Sequence, residues 1–206
     1  MFFDFDGTIS TKDIGVHLLE RLATGDWRAL DDRYCDGVIG SRQCMVEQWA
    51  CIPTDVDEAT RHAVAAEVPI DPAFGPLVEA LRAGGAEVTV VSDGFGFYVH
   101  DRVDPFGVPV FTNEVDFATN TMRFPNANPD CVECAQCGTC KRRLIEEAAA
   151  RGRTTVFVGD GTSDRHAARA ADVVFATEAL ATWCDDESIA YQRFDTLRTV
   201  MKSLMG

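Results

Sequence analysis

Short runs of β-branched and aromatic residues recur along the chain, and each ends at a turn signal. Phe2–Phe5 stops at Asp6-Gly7-Thr8, Glu87–Val91 at Ser92-Asp93-Gly94, and Thr154–Val158 at Gly159-Asp160-Gly161. Asp172–Ala176 and Val108–Phe111 have the same character. Runs of this length and composition predict buried strands. Between them, helical spacing predicts helices over about 72–83, 95–104, 140–150 and 163–171. Strands that alternate with helices form βαβ units, which implies a parallel sheet with helices on both faces.

Two segments break this rhythm. Residues 12–71 hold no strand-like run, and Ile14, Leu18, Leu19 and Leu22, then Met45, Val46 and Trp49, recur at helical spacing. Residues 112–139 show a strand-like alternation around Ala118–Thr121, followed by a cluster of cysteines. The chain therefore reads as an α/β protein. A Rossmann-like parallel-sheet core spans 1–11 and 72–206, and a helical cap subdomain is inserted at 12–71.

Among the 206 residues, 46% are hydrophobic and 25% charged, the proportions of a globular chain rather than a disordered one. Lys and Arg number 19 against 33 Asp and Glu, a net charge of −14. Such a surface repels phosphate backbones and anionic lipid, which argues against nucleic acid and membrane as partners. An anionic small molecule stays open, because a pocket can be locally positive or hold a metal. No apolar run approaches the roughly 20 residues of a membrane span, and the first residues lack the basic and apolar regions of a secretory signal. The expected location is cytoplasmic, where a disulfide framework among the eight cysteines is disfavoured. Cys35, Cys44, Cys51 and Cys184 read as buried small hydrophobes. Cys131, Cys134, Cys137 and Cys140 recur at every third position and leave three readings open: a structural Zn2+ on four thiolates, an iron–sulfur cluster, or a reduced loop without metal.

Acidic groups follow three of the predicted strands: Asp4 and Asp6, Asp93 beside Ser92, and Asp160 with Asp164. Ligands of open α/β sheets bind outside the carboxyl ends of the strands, so these side chains should converge on one crevice. Taken singly, each is most often a helix cap or a turn residue. Their joint order, with Lys141 opening a helix before the third cluster, is what the capping explanation fails to cover. Clustered carboxylates repel one another unless a cation neutralises them, and an oxygen-only set suits Mg2+.

Asp4–Thr8, Val91–Gly94, Lys141 and Gly159–Asp164 resemble the four motifs of the haloacid dehalogenase superfamily of phosphohydrolases. The helical insert resembles the cap of its phosphoserine phosphatase-like branch. Within that branch, Asn113, Cys137–Lys141 and Gly159–Ala168 resemble the methionine-salvage phosphatases. The resemblance implies an Mg2+-dependent hydrolase of a small phosphorylated metabolite. Asp4 would be the nucleophile that forms an aspartyl-phosphate, Asp6 the acid and base, and Lys141 the balancing cation. Phosphate contacts would come from Thr8, Ser92, Asp93, Gly94 and Lys141. Mg2+ would be held by Asp4, the Asp6 carbonyl and Asp160, with Asp164 in support. Asp93 departs from the glycine usual in phosphoserine phosphatases. In the cap, Asp13 and Arg42 are expected to meet substrate, with Arg33, Gln43 and Trp49 as further polar or aromatic groups. The nearest rival is a phosphoserine, phosphocholine or phosphoethanolamine phosphatase. A zinc-binding, non-catalytic member of the same fold is another, and a homodimer is compatible with either reading.

Overall fold

Neighbouring residues on the central strands divide between two apolar layers, as the two-residue period of a strand requires. Phe3, Val90, Val158 and Phe175 enter one layer, and Phe2, Val91, Phe157 and Val174 the other. A strand buried on both faces reads as a continuous hydrophobic run, the pattern that marked these segments. The computed structural model describes residues 1–131 and 136–205. Its strands are β1 (Phe2–Phe3), β2 (Thr89–Phe95), β3 (Val110–Asp116), β4 (Thr121–Arg123), β5 (Val156–Gly159), β6 (Val173–Ala176) and β7 (Gln192–Arg193). They form one sheet in the order β4-β3-β2-β1-β5-β6-β7, parallel throughout except between β3 and β4.

Between β1 and β2 lie α1 (Ile14–Leu22), α2 (Trp27–Cys35), α3 (Ser41–Trp49), α4 (Glu58–Ala66) and α5 (Phe74–Ala83). Asp13, Asp26 and Asp57 cap α1, α2 and α4 by accepting from Val16, Ala29 and Thr60 N–H groups. The block α1–α4 leaves and rejoins the sheet at one place, where Thr11 N donates to Pro69 O at 2.9 Å and Asp71 N to Ile9 O at 2.7 Å. Farther along come α6 (Gly96–Val103), α7 (Lys141–Ala150), α8 (Arg165–Ala170), α9 (Glu178–Asp186) and α10 (Leu197–Met205). α5, α6 and α10 cover one face of the sheet together with α1, and α7, α8 and α9 cover the other. No helix among the described residues is long and apolar enough to cross a membrane.

Two expectations change. β2 does not stop at Val91 but runs through Ser92, Asp93 and Gly94 to Phe95, with irregular register after Val91. Residues 118–120 are not strand: they lie in the turn between β3 and β4, and Thr121 opens β4. Asp116 Oδ1 captures the N–H groups of Ala118 and Thr119 at 3.0 and 3.3 Å, and Asn120 takes φ +52. A side chain that bonds its own following backbone makes a turn, whatever the alternation suggests.

Candidate active site

Asp4 sits at the carboxyl edge of the sheet, its N–H donating to Val158 O at 2.9 Å. The chain then folds back on the Phe5 carbonyl, which accepts from Ile9 and Ser10 N–H groups at 2.9 Å each. Gly7 makes this reversal at φ +74, and a Cβ there would lie 2.3 Å from Asp160 Oδ2. Glycine alone takes that conformation without strain and leaves room for the carboxylate. Gly7→Ala should therefore displace Asp160 and lower kcat/KM by ~100-fold, the scale of a 1 Å misplacement in an active site. Steady-state assays on a folded preparation check this; wild-type kcat/KM would show that the turn tolerates a side chain.

Lys141, the first residue of α7, is 3% exposed. Its Nζ lies 2.7 Å from Asp4 Oδ1 and donates to Asp164 Oδ1 at 2.6 Å and to Ser163 Oγ at 3.1 Å. Asp164 Oδ2 accepts from the N–H groups of Asp160 and Gly161 at 3.0 Å each, which fixes the turn after β5. Thr8 Oγ1 donates to Asp160 Oδ1 at 2.6 Å, so the hydroxyl expected on phosphate is engaged with a carboxylate. Oxygens of Asp4, Asp160 and Asp164 lie within 4.8 Å of one another. Burial and then Asp164 push the Asp4 carboxyl up against the pull of Lys141, and the same two causes raise Asp160 to about 8. Burial works against the Lys141 charge, but Asp164 and Asp4 outweigh it and hold the ammonium well above its usual value. One ammonium among three such carboxylates leaves negative charge that a hard cation on oxygen ligands can neutralise.

Asp6 stands beside this trio with different partners. Its Oδ1 accepts from Ile14 N at 2.9 Å, and its Oδ2 from Tyr98 Oη at 3.0 Å and Ser92 Oγ at 3.5 Å. Burial, then the Asp13 carboxylate, raises Asp6 to about 7, where it can hold or release a proton near neutrality. Gly94 makes room for this group, since a Cβ would lie 2.3 Å from Asp6 Oδ2 and from Tyr98 Oη. Ser92 is fully buried and its Oγ accepts from Gly94 N at 2.9 Å. Asp93 Oδ1 accepts from Thr139 N at 2.6 Å, and its carbonyl from Asn113 Nδ2 at 2.7 Å. The Asp93 carboxylate thus ties β2 to the chain entering α7; only its backbone is suited to an anionic phosphoryl group.

A cavity of about 310 Å³ joins Asp4, Asp6, Ser92, Asp93, Gly94 and Asp160 to the helical block. From that block come Leu18, Leu19, Met45, Trp49 and Ile52, together with the polar Asp31, Tyr34 and Gln48. No Lys, Arg or His is among the described residues lining it. Asp13 lines the cavity while capping α1. Arg42 is not among the lining residues: the first turn of α3 docks on the chain before α7, with Arg42 N donating to Gln136 O at 3.1 Å. Arg33 and Gln43 both reach Glu47 at the surface. Tyr34, Gln48 and Tyr98 were not anticipated. Burial, then Asp93, pushes the Tyr34 phenol well up, so it remains a donor. Met45, Gln48 and Trp49 share one helical face by their spacing, a signal the sequence does carry.

Cys134 lies outside the described residues. Among those described, Asp4, Asp160 and Asp164 form the metal-capable group, and Cys131, Cys137 and Cys140 do not join one, so zinc gains no support. Cys44 and Cys184 are buried as expected; Cys35 is exposed and lines the cavity instead.

A strand-end carboxylate held by a buried lysine, next to an acidic pocket suited to a cation, is the equipment of a phosphoryl-transfer enzyme. The chain matches the haloacid dehalogenase-like hydrolase family over residues 1–169 and belongs to it. It is 28% identical over 206 residues to a 2-hydroxy-3-keto-5-methylthiopentenyl-1-phosphate phosphatase of Exiguobacterium sp. strain AT1b, covering 98% of this chain and 95% of that one. The protein of the same name from Brevibacillus brevis is 28% identical over 211 residues, with coverage of 99% and 94%. A solved phospho-aspartyl intermediate analogue of phosphoserine phosphatase superposes with a TM-score of 0.72 at 17% identity, covering 98% and 96% of the two chains. The T. onnurineus phosphoserine phosphatase gives 0.72 at 17% identity, covering 98% and 91%. At that identity the likeness establishes the fold. The α/β architecture and the enzyme class read from the sequence, a phosphatase of this family, are borne out.

Proposed function

We infer that the protein hydrolyses a small phosphate monoester through an aspartyl-phosphate on Asp4, with Mg2+ as cofactor. The observation that carries this reading is Lys141, buried between Asp4 at 2.7 Å and Asp164 at 2.6 Å. An Asp4 oxygen attacks phosphorus in line while the ammonium offsets the approach of two negative charges. Asp6 gives its proton to the leaving oxygen, and the alcohol departs. It then takes a proton from the water that attacks the phosphorus of the aspartyl-phosphate, which releases inorganic phosphate and restores the Asp4 carboxylate. Asp4, Asp160 and the Asp6 carbonyl, with Asp164 behind them, would hold Mg2+, which would supply positive charge to offset that of the phosphoryl group.

The helical block α1–α4 acts as the cap over this centre and chooses the substrate. Its lining is mainly apolar, with the Tyr34 hydroxyl, the Gln48 amide and the Asp13 and Asp31 carboxyls among its polar groups. That suits a phosphate ester carrying hydroxyl, keto and thioether groups, the kind named for the curated relatives. Phosphoserine fits less well, because its carboxylate would meet no cation among the described lining residues. The expected preference for the methylthio keto ester over phosphoserine is at least ~100-fold in kcat/KM, the cost of an unpaired charge in such a pocket. Competing assays on one preparation test this, and a preference for phosphoserine overturns the substrate reading.

Metal dependence can be read without turnover. Asp160 and Asp6 titrate in the folded protein at about 8 and about 7, above the ~3.9 of an unfolded aspartate. Between those values the folded chain binds more protons than the unfolded one, so metal-free stability falls as pH rises from about 4 to about 8. Mg2+ held at these carboxylates would compete with those protons. Its upward shift of the melting temperature should therefore be larger at about pH 8 than at about pH 5.5. Equal shifts, or none, would count against the site.

A further inference from the structure

The tip of the β3–β4 hairpin reaches across to the helical block. Asn120 Oδ1 accepts from Trp49 Nε1 at 2.9 Å and from Arg61 Nη1 at 3.0 Å, so one amide oxygen ties the end of α3 and the middle of α4 to the sheet. Trp49 and Arg61 are 5% and 2% exposed. The Arg61 guanidinium lies over the indole, 4.5 Å from its centroid, and Arg61 Nη2 also donates to Pro53 O at 3.4 Å. Phe95, at the end of β2, packs edge-on to the same ring at 5.2 Å. The indole is thus fixed by a cation on one face, an aromatic edge, and an acceptor at its N–H. Both Trp49 and Phe95 line the catalytic cavity.

We propose that Asn120 is a positioning residue for substrate specificity: it holds Trp49 in place as part of the apolar wall of the cavity. The proposal rests on the reading of that cavity as the substrate site. A buried indole N–H needs an acceptor, and the acceptor here belongs to the sheet side of the cavity, 71 residues from the tryptophan. Asn120 itself touches none of the catalytic carboxylates. Its turn is pinned by Asp116, and its φ of +52 is one that Asn and Gly adopt most readily. Without the amide, two buried donors lose their shared partner, and the indole is free to leave the wall.

Asn120→Gly removes the acceptor and keeps the turn; Asn120→Asp keeps an acceptor for both donors. The probe is a series of n-alkyl phosphates from ethyl to hexyl, which varies only the apolar tail. In the wild-type enzyme kcat/KM should rise by up to roughly fourfold per methylene as the tail is buried. Asn120→Gly should leave ethyl phosphate within about threefold of wild type and flatten the increment per methylene, chiefly through KM. Asn120→Asp should restore it. Should the glycine variant fail to fold, Asn120→Ser, too short to reach both donors, carries the same expectation. A wild-type increment that survives loss of the amide overturns the proposal, as do equal losses on ethyl and hexyl phosphate. A wild-type enzyme with no increment contradicts the apolar-substrate reading as well, which separates the two failures.

Discussion

Replacing Asp4 by Asn is expected to lower kcat by at least ~10,000-fold, since the amide cannot attack phosphorus and nothing else replaces the covalent step. The fold should survive. Asn is nearly the same size, and its carbonyl oxygen can still face the Lys141 ammonium, which lies 2.7 Å from Asp4 Oδ1. The substitution also removes a charge that burial and Asp164 both disfavour, so the melting temperature should hold or rise. Turnover of p-nitrophenyl phosphate and a melting curve on the same preparation decide the matter. A kcat within tenfold of wild type would sink the nucleophile assignment.

The second large effect concerns stability. Lys141→Met keeps most of the side-chain volume but leaves Asp4 and Asp164 without their shared cation. Breaking a buried ion pair from one side costs about 3–5 kcal/mol, or roughly 6–20 °C in melting temperature for a chain of this size. Activity should fall with it, because the same ammonium balances the attack. The stability loss should shrink at about pH 5, where the Asp4 carboxylate, already raised by burial, takes up a proton in its place. Adding Asp164→Asn should recover part of the loss, the signature of a coupled pair. An unchanged melting temperature at neutral pH would mean that the three charges do not depend on one another.

Much of this arrangement was legible in the sequence because it is local. The strands around 87–91, 154–158 and 172–176 announce themselves as β-branched runs, and α7 begins at Lys141 where helical spacing resumes. Asp4, Asp6 and Asp160 fall at strand ends, and the topology of a parallel sheet gathers strand ends at one edge. The rest depends on contacts between distant segments. Tyr98 reaches Asp6 across 92 residues, and the Asp93 carboxylate finds Thr139 across 46. Neither pairing has a sequence period. Arg42 was expected in the cavity on the strength of its charge, yet the docking of the first turn of α3 on Gln136 and Gly138 sets where it lies. The hairpin tip was misread because Thr and Asn alternate there, while the Asp116 side chain decides the backbone. The helix α10 was missed as well, although Leu197, Val200, Met201 and Leu204 recur at helical spacing and pack against the core.

The central claim is a covalent phosphoryl group on Asp4. Rapid acid quenching of the enzyme during turnover with Mg2+ and p-nitrophenyl phosphate, followed by proteolysis at low pH and mass spectrometry, tests it most directly. The account predicts the mass of one phosphoryl group on the N-terminal peptide carrying Asp4, absent from Asp4→Asn and discharged when substrate runs out. Turnover through a phosphoryl group on another residue, or steady turnover with no adduct at any quench time, would contradict it.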